Sequence, residues 1–165
     1  MKNLVIFISL GLFIFGSCSE TEKDYDIIVY GGTSAGVIAA VSADREGKSV
    51  LLIEPGVHLG GLSSGGLGQT DIGNKHAVTG LSRDFYRRLG DHYGKLEAWK
   101  FEPSAAEKIF NDFINESAVE VLYEYRLRDV GMKKSRINSI QLESSVDPDG
   151  ETREYTASYF IDCSY

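Results

Sequence analysis

The chain has 165 residues and a formal net charge of −7, from 17 lysines and arginines against 24 aspartates and glutamates. Hydrophobic residues make up 42% and charged residues 25%, which is typical of an ordinary globular protein with one core. The acidic balance argues against a nucleic-acid surface, and two cysteines exclude a disulfide scaffold. Twelve of the 18 glycines lie between Gly31 and Gly80, which indicates a region where the backbone comes close to another group.

The amino-terminal segment has the features of a processing signal. Lys2 precedes an apolar run of twelve residues, which is shorter than the roughly twenty needed to span a bilayer and has the length of a signal-peptide core. Two small residues and then Cys18 follow, in a pattern that resembles the bacterial lipoprotein signal. We therefore predict a signal peptide over residues 1–17, a lipid on Cys18 and a tether over residues 18–25. The protein would be exported and anchored to a bacterial membrane, in the periplasm or at the cell surface. Ordinary secretion with an unmodified Cys18 is the alternative.

The next segment predicts a strand, a glycine-rich turn, a helix and a second strand. Residues 27–30 form a short apolar run, as in a parallel strand that is buried on both faces. After the turn, small residues over 37–46 predict a helix that ends at Gly47. The second strand, over residues 49–54, ends in the acidic residue Glu54.

This order predicts a dinucleotide site. Gly31 permits the tight turn, the helix amino terminus offers free N–H groups to a pyrophosphate, and Glu54, 23 residues after Gly31, can accept hydrogen bonds from ribose hydroxyls. Thr33 stands where the second glycine of the fingerprint is expected, so its side chain must turn away or bind a phosphate. The residues predicted to bind the cofactor from the turn are Gly31, Gly32, Thr33, Ser34, Ala35 and Gly36.

Four stretches of the sequence carry a family resemblance. Residues 26–54, the glycine-rich residues 55–68, Phe101-Glu102-Pro103 and residues 160–165 resemble the FAD-dependent oxidoreductase family of glutathione-reductase-like flavoproteins, in particular its secreted bacterial members. The resemblance implies an α/β, Rossmann-like FAD-binding domain over residues 26–165, with a parallel sheet and an inserted β-hairpin or meander. It also implies that this domain is incomplete at its carboxyl-terminal side.

The same resemblance implies the cofactor and the reaction. FAD is expected rather than NAD, because a glycine pair in such flavoproteins packs along the flavin side, and that pair matches Gly60 and Gly61. Backbone near Leu127, just beyond the third parallel strand, is expected to contact the adenine. The implied activity is hydride transfer from a small organic substrate to the flavin, followed by electron transfer to an acceptor. No residue is assigned a catalytic role and no metal is expected.

Residues 56–80 predict a long loop, because they are rich in glycine and have no apolar periodicity. Long structureless loops in compact domains are uncommon and usually functional. Ser63 could donate a hydrogen bond to flavin or substrate from this loop, with a solvated turn residue as the alternative.

The rest of the chain predicts two amphipathic helices, a third parallel strand, a hairpin and a returning strand. Ser104 and Glu107 form a capping-box pattern for the second of these helices. The elements are predicted over residues 81–90, 104–114, 119–125, 136–143 with 152–157, and 159–162.

Two other functions stay open on the sequence. One is a truncated, inactive, lipid-anchored α/β module, because the sequence stops directly after a predicted core strand. The other is an NAD-dependent dehydrogenase, which would retain the glycine fingerprint and have no use for the Gly60-Gly61 loop.

Overall fold

The computed structural model describes residues 24–147 and 149–165. Cys18, the predicted signal peptide and most of the predicted tether lie outside these residues. Within them, no helix has the length and apolar character that crossing a bilayer requires.

Among the residues that the structure describes, six strands form one sheet, and three α-helices lie on one side of it. The order of the strands across the sheet is β3-β2-β1-β6-β5-β4. The first four strands of that order run parallel, and β4, β5 and the start of β6 form an antiparallel meander. The strands are β1 (Tyr25–Tyr30), β2 (Val50–Glu54), β3 (Glu120–Tyr123), β4 (Tyr125–Lys133), β5 (Arg136–Ser144) and β6 (Arg153–Asp162). The helices are α1 (Ser34–Arg45), α2 (Gly80–His92), α3 (Pro103–Asn115) and a short 3-10 helix (Lys75–Ala77).

The two central strands, β1 and β2, pack on both faces, which explains why their sequences are largely apolar. On the helix face, Val29 and Leu52 pack in one cluster with residues of α1 and α3, including Phe110. On the opposite face, Ile28 and Ile53 pack in a second cluster with residues of β5 and β6. Burying each such side chain stabilises the fold by about 1.5–3 kcal/mol. We call the two surfaces of the sheet the helix face and the hairpin face.

Strand β6 belongs to both parts of the sheet. Its second half pairs with β1 in parallel, from Ile27↔Tyr159 to Tyr30↔Asp162. Its first half pairs with β5 in antiparallel, from Ser139↔Thr156 to Leu142↔Arg153. The two segments predicted over residues 152–157 and 159–162 are therefore one continuous strand. The fold class is confirmed, and the inserted element is a meander whose first strand, β4, the sequence pattern did not reveal.

The predicted start of the α3 helix is wrong. The helix begins at Pro103, its N-cap is Glu102, and the cap makes no side-chain hydrogen bond. Proline fits the first helical position because its fixed φ suits the helix and its missing N–H would have had no partner there. Ser104 therefore lies inside the helix, and the capping-box pattern with Glu107 does not mark its end.

Candidate cofactor site

The turn between β1 and α1 depends on glycine at two positions. Gly31 has φ +97°, a left-handed conformation that other residues adopt at a cost, and its N–H donates to the Ile53 carbonyl at 2.8 Å. At Gly36, an added Cβ would overlap the Gly31 carbonyl oxygen. The turn is therefore tight because β1, α1 and β2 meet there without room for side chains.

Thr33 is the N-cap of α1, and its side chain turns away from the open side of the turn. It is buried, with 7% of its surface exposed. Its Oγ1 accepts a hydrogen bond from the Gly36 N–H at 3.2 Å and donates one to the Cys163 carbonyl at 2.9 Å. The sequence left open whether the Thr33 side chain turns away or binds a phosphate, and in the structure it turns away. Its hydroxyl joins the turn to the segment after β6.

The amino terminus of α1 is an anion-binding arrangement. Ser34 and Ala35 open the helix, so their N–H groups have no preceding helical carbonyl to bind. No acidic residue lies in the first turn, so no side-chain charge there opposes an anion at the positive end of the helix dipole. The N–H groups and the dipole together can hold a pyrophosphate.

The Glu54 carboxylate is fixed beside this turn by backbone donors. Its Oε2 accepts from the Gly32 N–H and its Oε1 from the Gly56 N–H, each at 2.7 Å. A carboxylate oxygen has two lone pairs, so each oxygen can still accept a hydrogen bond from a ribose hydroxyl. Glu54 is thus held next to the pyrophosphate position with its acceptor capacity in part unused.

The surroundings of Glu54 are negatively charged. Burial, and then the charges of Glu107 and Glu54, raise the pKa of the Tyr123 hydroxyl above its usual range. Both carboxylates therefore act on the same partly buried phenol. Such a setting favours hydrogen-bond donors, for example ribose hydroxyls.

The loop glycines connect the loop to the turn. Gly60 donates its N–H to the Gly32 carbonyl at 2.8 Å, and its added Cβ would overlap the Phe110 ring. Gly61 faces the Tyr165 hydroxyl, which an added Cβ would also overlap. Both glycines have positive φ, +100° and +54°. Packing and backbone conformation within the chain thus require glycine at both positions, independently of any contact with the cofactor.

The predicted long loop is held along its length by the segment before α3. Gly68 accepts from the Phe101 N–H at 2.8 Å, and the Thr70 N–H donates to the Trp99 carbonyl at 3.0 Å. The Thr70 hydroxyl donates to the Tyr86 hydroxyl at 3.1 Å. The loop is irregular apart from the short 3-10 helix over Lys75–Ala77, and hydrogen bonds fix it to α2 and to the segment before α3.

A cavity of about 260 Å³ opens beside the amino terminus of α1, on the loop side. Its apolar part comes mainly from aromatic rings of α2 and α3, and its polar part from serine hydroxyls. Ser63 of the loop and Ser34 of α1 therefore meet in one cavity. The lining residues are Ser34, Ala35, Ile38, Ser63, Ser82, Phe85, Tyr86 and Phe110.

Leu127 is placed differently from the other predicted site residues. It lies on β4, and its N–H donates to the hydroxyl of Tyr30 at 3.2 Å. The structure thus brings the turn, Glu54, Gly60, Gly61 and Ser63 together, whereas Leu127 reaches this group through Tyr30.

Several residues at the site had no individual signal in the sequence, although Leu59, Cys163 and Tyr165 lie in stretches that carry the family resemblance. Cys163 contributes its carbonyl to Thr33 and its N–H to the Tyr30 carbonyl, and Leu59 contributes a fully buried side chain beside Gly32. Tyr165 contributes its hydroxyl, which accepts the Leu62 N–H at 2.9 Å. Tyr30 had a weak signal, since it is the one polar-tipped side chain in an otherwise apolar strand end.

The comparisons with known proteins agree with this geometry. A family model described as FAD dependent oxidoreductase matches residues 26–165. The 3-oxosteroid 1-dehydrogenase of Mycolicibacterium smegmatis is 33% identical over 90 residues, which are 54% of this chain and 15% of that protein.

Solved structures confirm the fold. THI4 from Thermovibrio ammonificans has a TM-score of 0.61 at 16% identity, over 85% of this chain and 57% of that one. The myxobacterial chondrochloren halogenase CndH has a TM-score of 0.60 at 19% identity, over 85% of this chain and 37% of that one. A 3-ketosteroid-Δ4-(5α)-dehydrogenase from Rhodococcus jostii has a TM-score of 0.59 at 16% identity, over 88% and 47%. The chain thus spans only part of the length of each relative.

Proposed function

Because this chain belongs to the FAD-dependent oxidoreductase family, we propose that it is the cofactor-binding part of an enzyme that oxidises a small organic substrate by hydride transfer to FAD. The prediction of FAD is confirmed by the family. The observation that carries the proposal is that Gly32, within the turn that opens α1, also fixes the Glu54 carboxylate.

The residues present fit FAD. The N–H groups of Ser34 and Ala35 would bind the pyrophosphate, and Glu54 would accept the hydroxyls of the adenosine ribose. The cavity that Ser63 lines would receive the flavin side of the molecule, where serine hydroxyls would orient it and aromatic rings would exclude water. Bound FAD supplies a flavin ring that accepts a hydride from a substrate carbon and passes the electrons to an acceptor.

A titration with FAD tests this function. We expect the full chain, purified in detergent, to bind FAD and to bind NAD⁺ at least about tenfold more weakly, which is about 1.4 kcal/mol. Gly36→Ala should abolish FAD binding, because its Cβ would overlap the Gly31 carbonyl. Gly73→Ala is the matched control, since its Cβ would meet nothing within 4 Å. Failure of the unmodified chain to bind FAD, by calorimetry and by flavin fluorescence, would refute the proposal.

The names of two relatives support an apolar substrate. One is a 3-oxosteroid 1-dehydrogenase, and the other is a ketosteroid dehydrogenase whose structure contains 4-androstene-3,17-dione. Bleaching of flavin absorbance by candidate substrates under anaerobic conditions measures the hydride step directly. An inactive anchored module, the alternative, would neither bind FAD tightly nor show bleaching with any of them.

We also propose that the protein is exported and held to a bacterial membrane by a lipid on Cys18. The support is the sequence of the amino-terminal segment, in which an apolar run and two small residues precede the cysteine.

A further inference from the structure

We propose that the tip of the β4–β5 hairpin binds the headgroups of anionic phospholipids, so that the folded domain rests on the membrane that carries its anchor. The hairpin tip is Met132–Ile137, which comprises the turn and the two residue pairs that lead into it. The inference rests on the proposed lipid on Cys18, and it concerns a surface that the proposed cofactor site does not use.

The hairpin tip is cationic in an acidic protein. It carries Lys133, Lys134 and Arg136, whereas the whole chain has a net charge of −7. No aspartate or glutamate occurs between residues 130 and 142. Among the described residues, no ion pair involves these three side chains. Their charge is therefore uncompensated within the described part of the chain and complements an anionic surface.

Two apolar side chains accompany these charges. Met132 and Ile137 are direct partners across the antiparallel pair, so their side chains lie on the same face of the hairpin. They are 57% and 41% exposed, and every residue from 132 to 138 is exposed. In the headgroup region of a bilayer, cations meet lipid phosphates and apolar side chains reach the acyl boundary. The hairpin tip offers both kinds of group together.

The turn has a lysine where the backbone disfavours one. Lys134 has φ +58°, in the left-handed region. Glycine and asparagine are the residues that two-residue hairpin turns usually place there, because other side chains are strained in this conformation. The geometry of the turn thus gives no reason for lysine, whereas a contact of its charge with an anionic surface does.

The hairpin tip lies close enough to the anchor for this contact. The Asp24 carboxylate binds Thr156, which lies opposite Ser139 of β5. Arg136 is three residues from Ser139, so two strand spacings and three residues of strand separate it from Asp24 by about 20 Å or less. The seven residues from Cys18 to Asp24 reach at most about 25 Å. The membrane that holds the lipid is therefore the anionic surface within reach of the tip.

Hydrogen exchange on vesicles tests this contact. The full-length protein is expressed in a bacterial host, and the lipidated product is reconstituted on vesicles of phosphatidylcholine, with or without phosphatidylglycerol. We expect the amides of the hairpin tip to exchange at least about tenfold more slowly on the anionic vesicles, since each cation near such a surface favours contact by about fivefold. The turn before β6, which carries Asp147 and Asp149, should exchange equally on both.

Removing charge from the hairpin tip should remove this difference. In the double variant Lys133→Gln with Lys134→Gln, the ratio of exchange rates between the two kinds of vesicle should fall to about one. The matched control is Lys75→Gln with Lys95→Gln, which changes two exposed lysines outside the hairpin and should retain the ratio of the unmodified protein. Should the tip variant not fold, salt decides. Raising it to about 1 M must abolish the ratio in the unmodified protein, because the Debye length falls to about 3 Å.

The outcomes separate this inference from the two proposals on function and anchoring. If the protein floats with both kinds of vesicle and its hairpin tip exchanges equally on both, the inference is overturned while the anchor stands. An acidic protein as the true partner of the tip would give that same result. If the protein carries no lipid and floats with neither, the anchor fails and the inference fails with it. The titration with FAD is independent of all these results.

Discussion

At the scale of a single residue, Thr33 combines two tasks that a glycine could not perform. Its hydroxyl caps α1 through the Gly36 N–H and binds the Cys163 carbonyl on the other side of the turn. A glycine there would let the backbone approach a phosphate but would leave both of these groups without this partner. The threonine keeps its Cβ out of the turn by burying it, so the cap is gained without closing the N–H groups of Ser34 and Ala35.

Replacing Thr33 by valine should therefore cost stability. Valine has nearly the same shape and lacks the hydroxyl, so the helix loses its N-cap and the Cys163 carbonyl loses a donor. We expect the free energy of unfolding in urea to fall by about 1–2 kcal/mol. Thr33→Ser, which keeps the hydroxyl, should remain close to the unmodified protein. Equal losses in the valine and serine variants would show that the methyl group matters and the hydroxyl does not.

At the scale of elements, Arg83 and Glu97 tie α2 to the segment before α3. The Arg83 Nε donates to Glu97 Oε1 at 2.8 Å, and the same guanidinium reaches the carbonyls of Lys75 and Val78 at 3.4 Å. The Arg83 side chain thus joins three parts of the chain, which are the short 3-10 helix, α2 and the segment before α3.

This pair makes stability depend on pH. Burial raises the pKa of the Glu97 carboxyl, but hydrogen bonding and charge from Arg83 outweigh it and leave the pKa below its ordinary value of 4.5. A carboxyl whose pKa is lowered on folding stabilises the protein above its unfolded pKa, and the contribution is lost as pH falls through the folded value. Urea unfolding between about pH 6 and pH 3 should show this loss.

Glu97→Gln should flatten that pH dependence, because glutamine does not titrate. Glu102→Gln is the matched control, since the Glu102 side chain makes no cap hydrogen bond. A Glu97→Gln variant with the slope of the unmodified protein below pH 5 would contradict the assignment.

The elements also show which structure a sequence can reveal. The β1 strand, the turn, α1 and β2 were predictable because burial on both faces and a tight turn each restrict the residue type, as at Gly31 and Gly36. Strand β4 was not, because its side chains are mostly exposed and its pairing with β5 shifts register near Leu127 and Asp129, which removes any alternation.

The candidate site divides in the same way. Glu54 was predictable from its place at the end of a strand, and Ser63 from its loop. Other contacts of the site are hydrogen bonds from backbone N–H groups, which every residue except proline carries. Gly32 and Gly56 donate in this way to Glu54, and Leu127 to the Tyr30 hydroxyl. Such contacts do not restrict the residue type, so the sequence alone could not predict them.

At the scale of the whole molecule, the described chain starts at the amino-terminal end of β1, and the candidate site lies at the carboxyl-terminal end of the same strand. Asp24 binds Thr156 just before β1, and the turn at Gly31 follows the end of that strand. Six residues of strand span about 20 Å. With the proposed anchor at Cys18, the candidate site therefore lies at the end of β1 that is farther along the chain from the anchor.

The anchor itself is tested by fractionation. In a bacterial host, Cys18→Ser should move the protein from the membrane fraction to the soluble fraction and abolish incorporation of labelled palmitate, because the predicted lipid acceptor is gone. Cys163→Ser changes the half-buried cysteine of the folded part and should leave both measurements unchanged. Palmitate labelling of the Cys18→Ser variant would rule out this cysteine as the anchor.

The bond between Thr33 and the Cys163 carbonyl also implies an order of assembly. Its partners are 130 residues apart, and β6, the strand that leads to Cys163, also occupies the free side of β1. The turn between β1 and α1 is synthesised early. Its contact with Cys163 forms only when β6 inserts between β1 and β5. Contacts of such long separation form slowly. The part of the site that is synthesised first is therefore completed last.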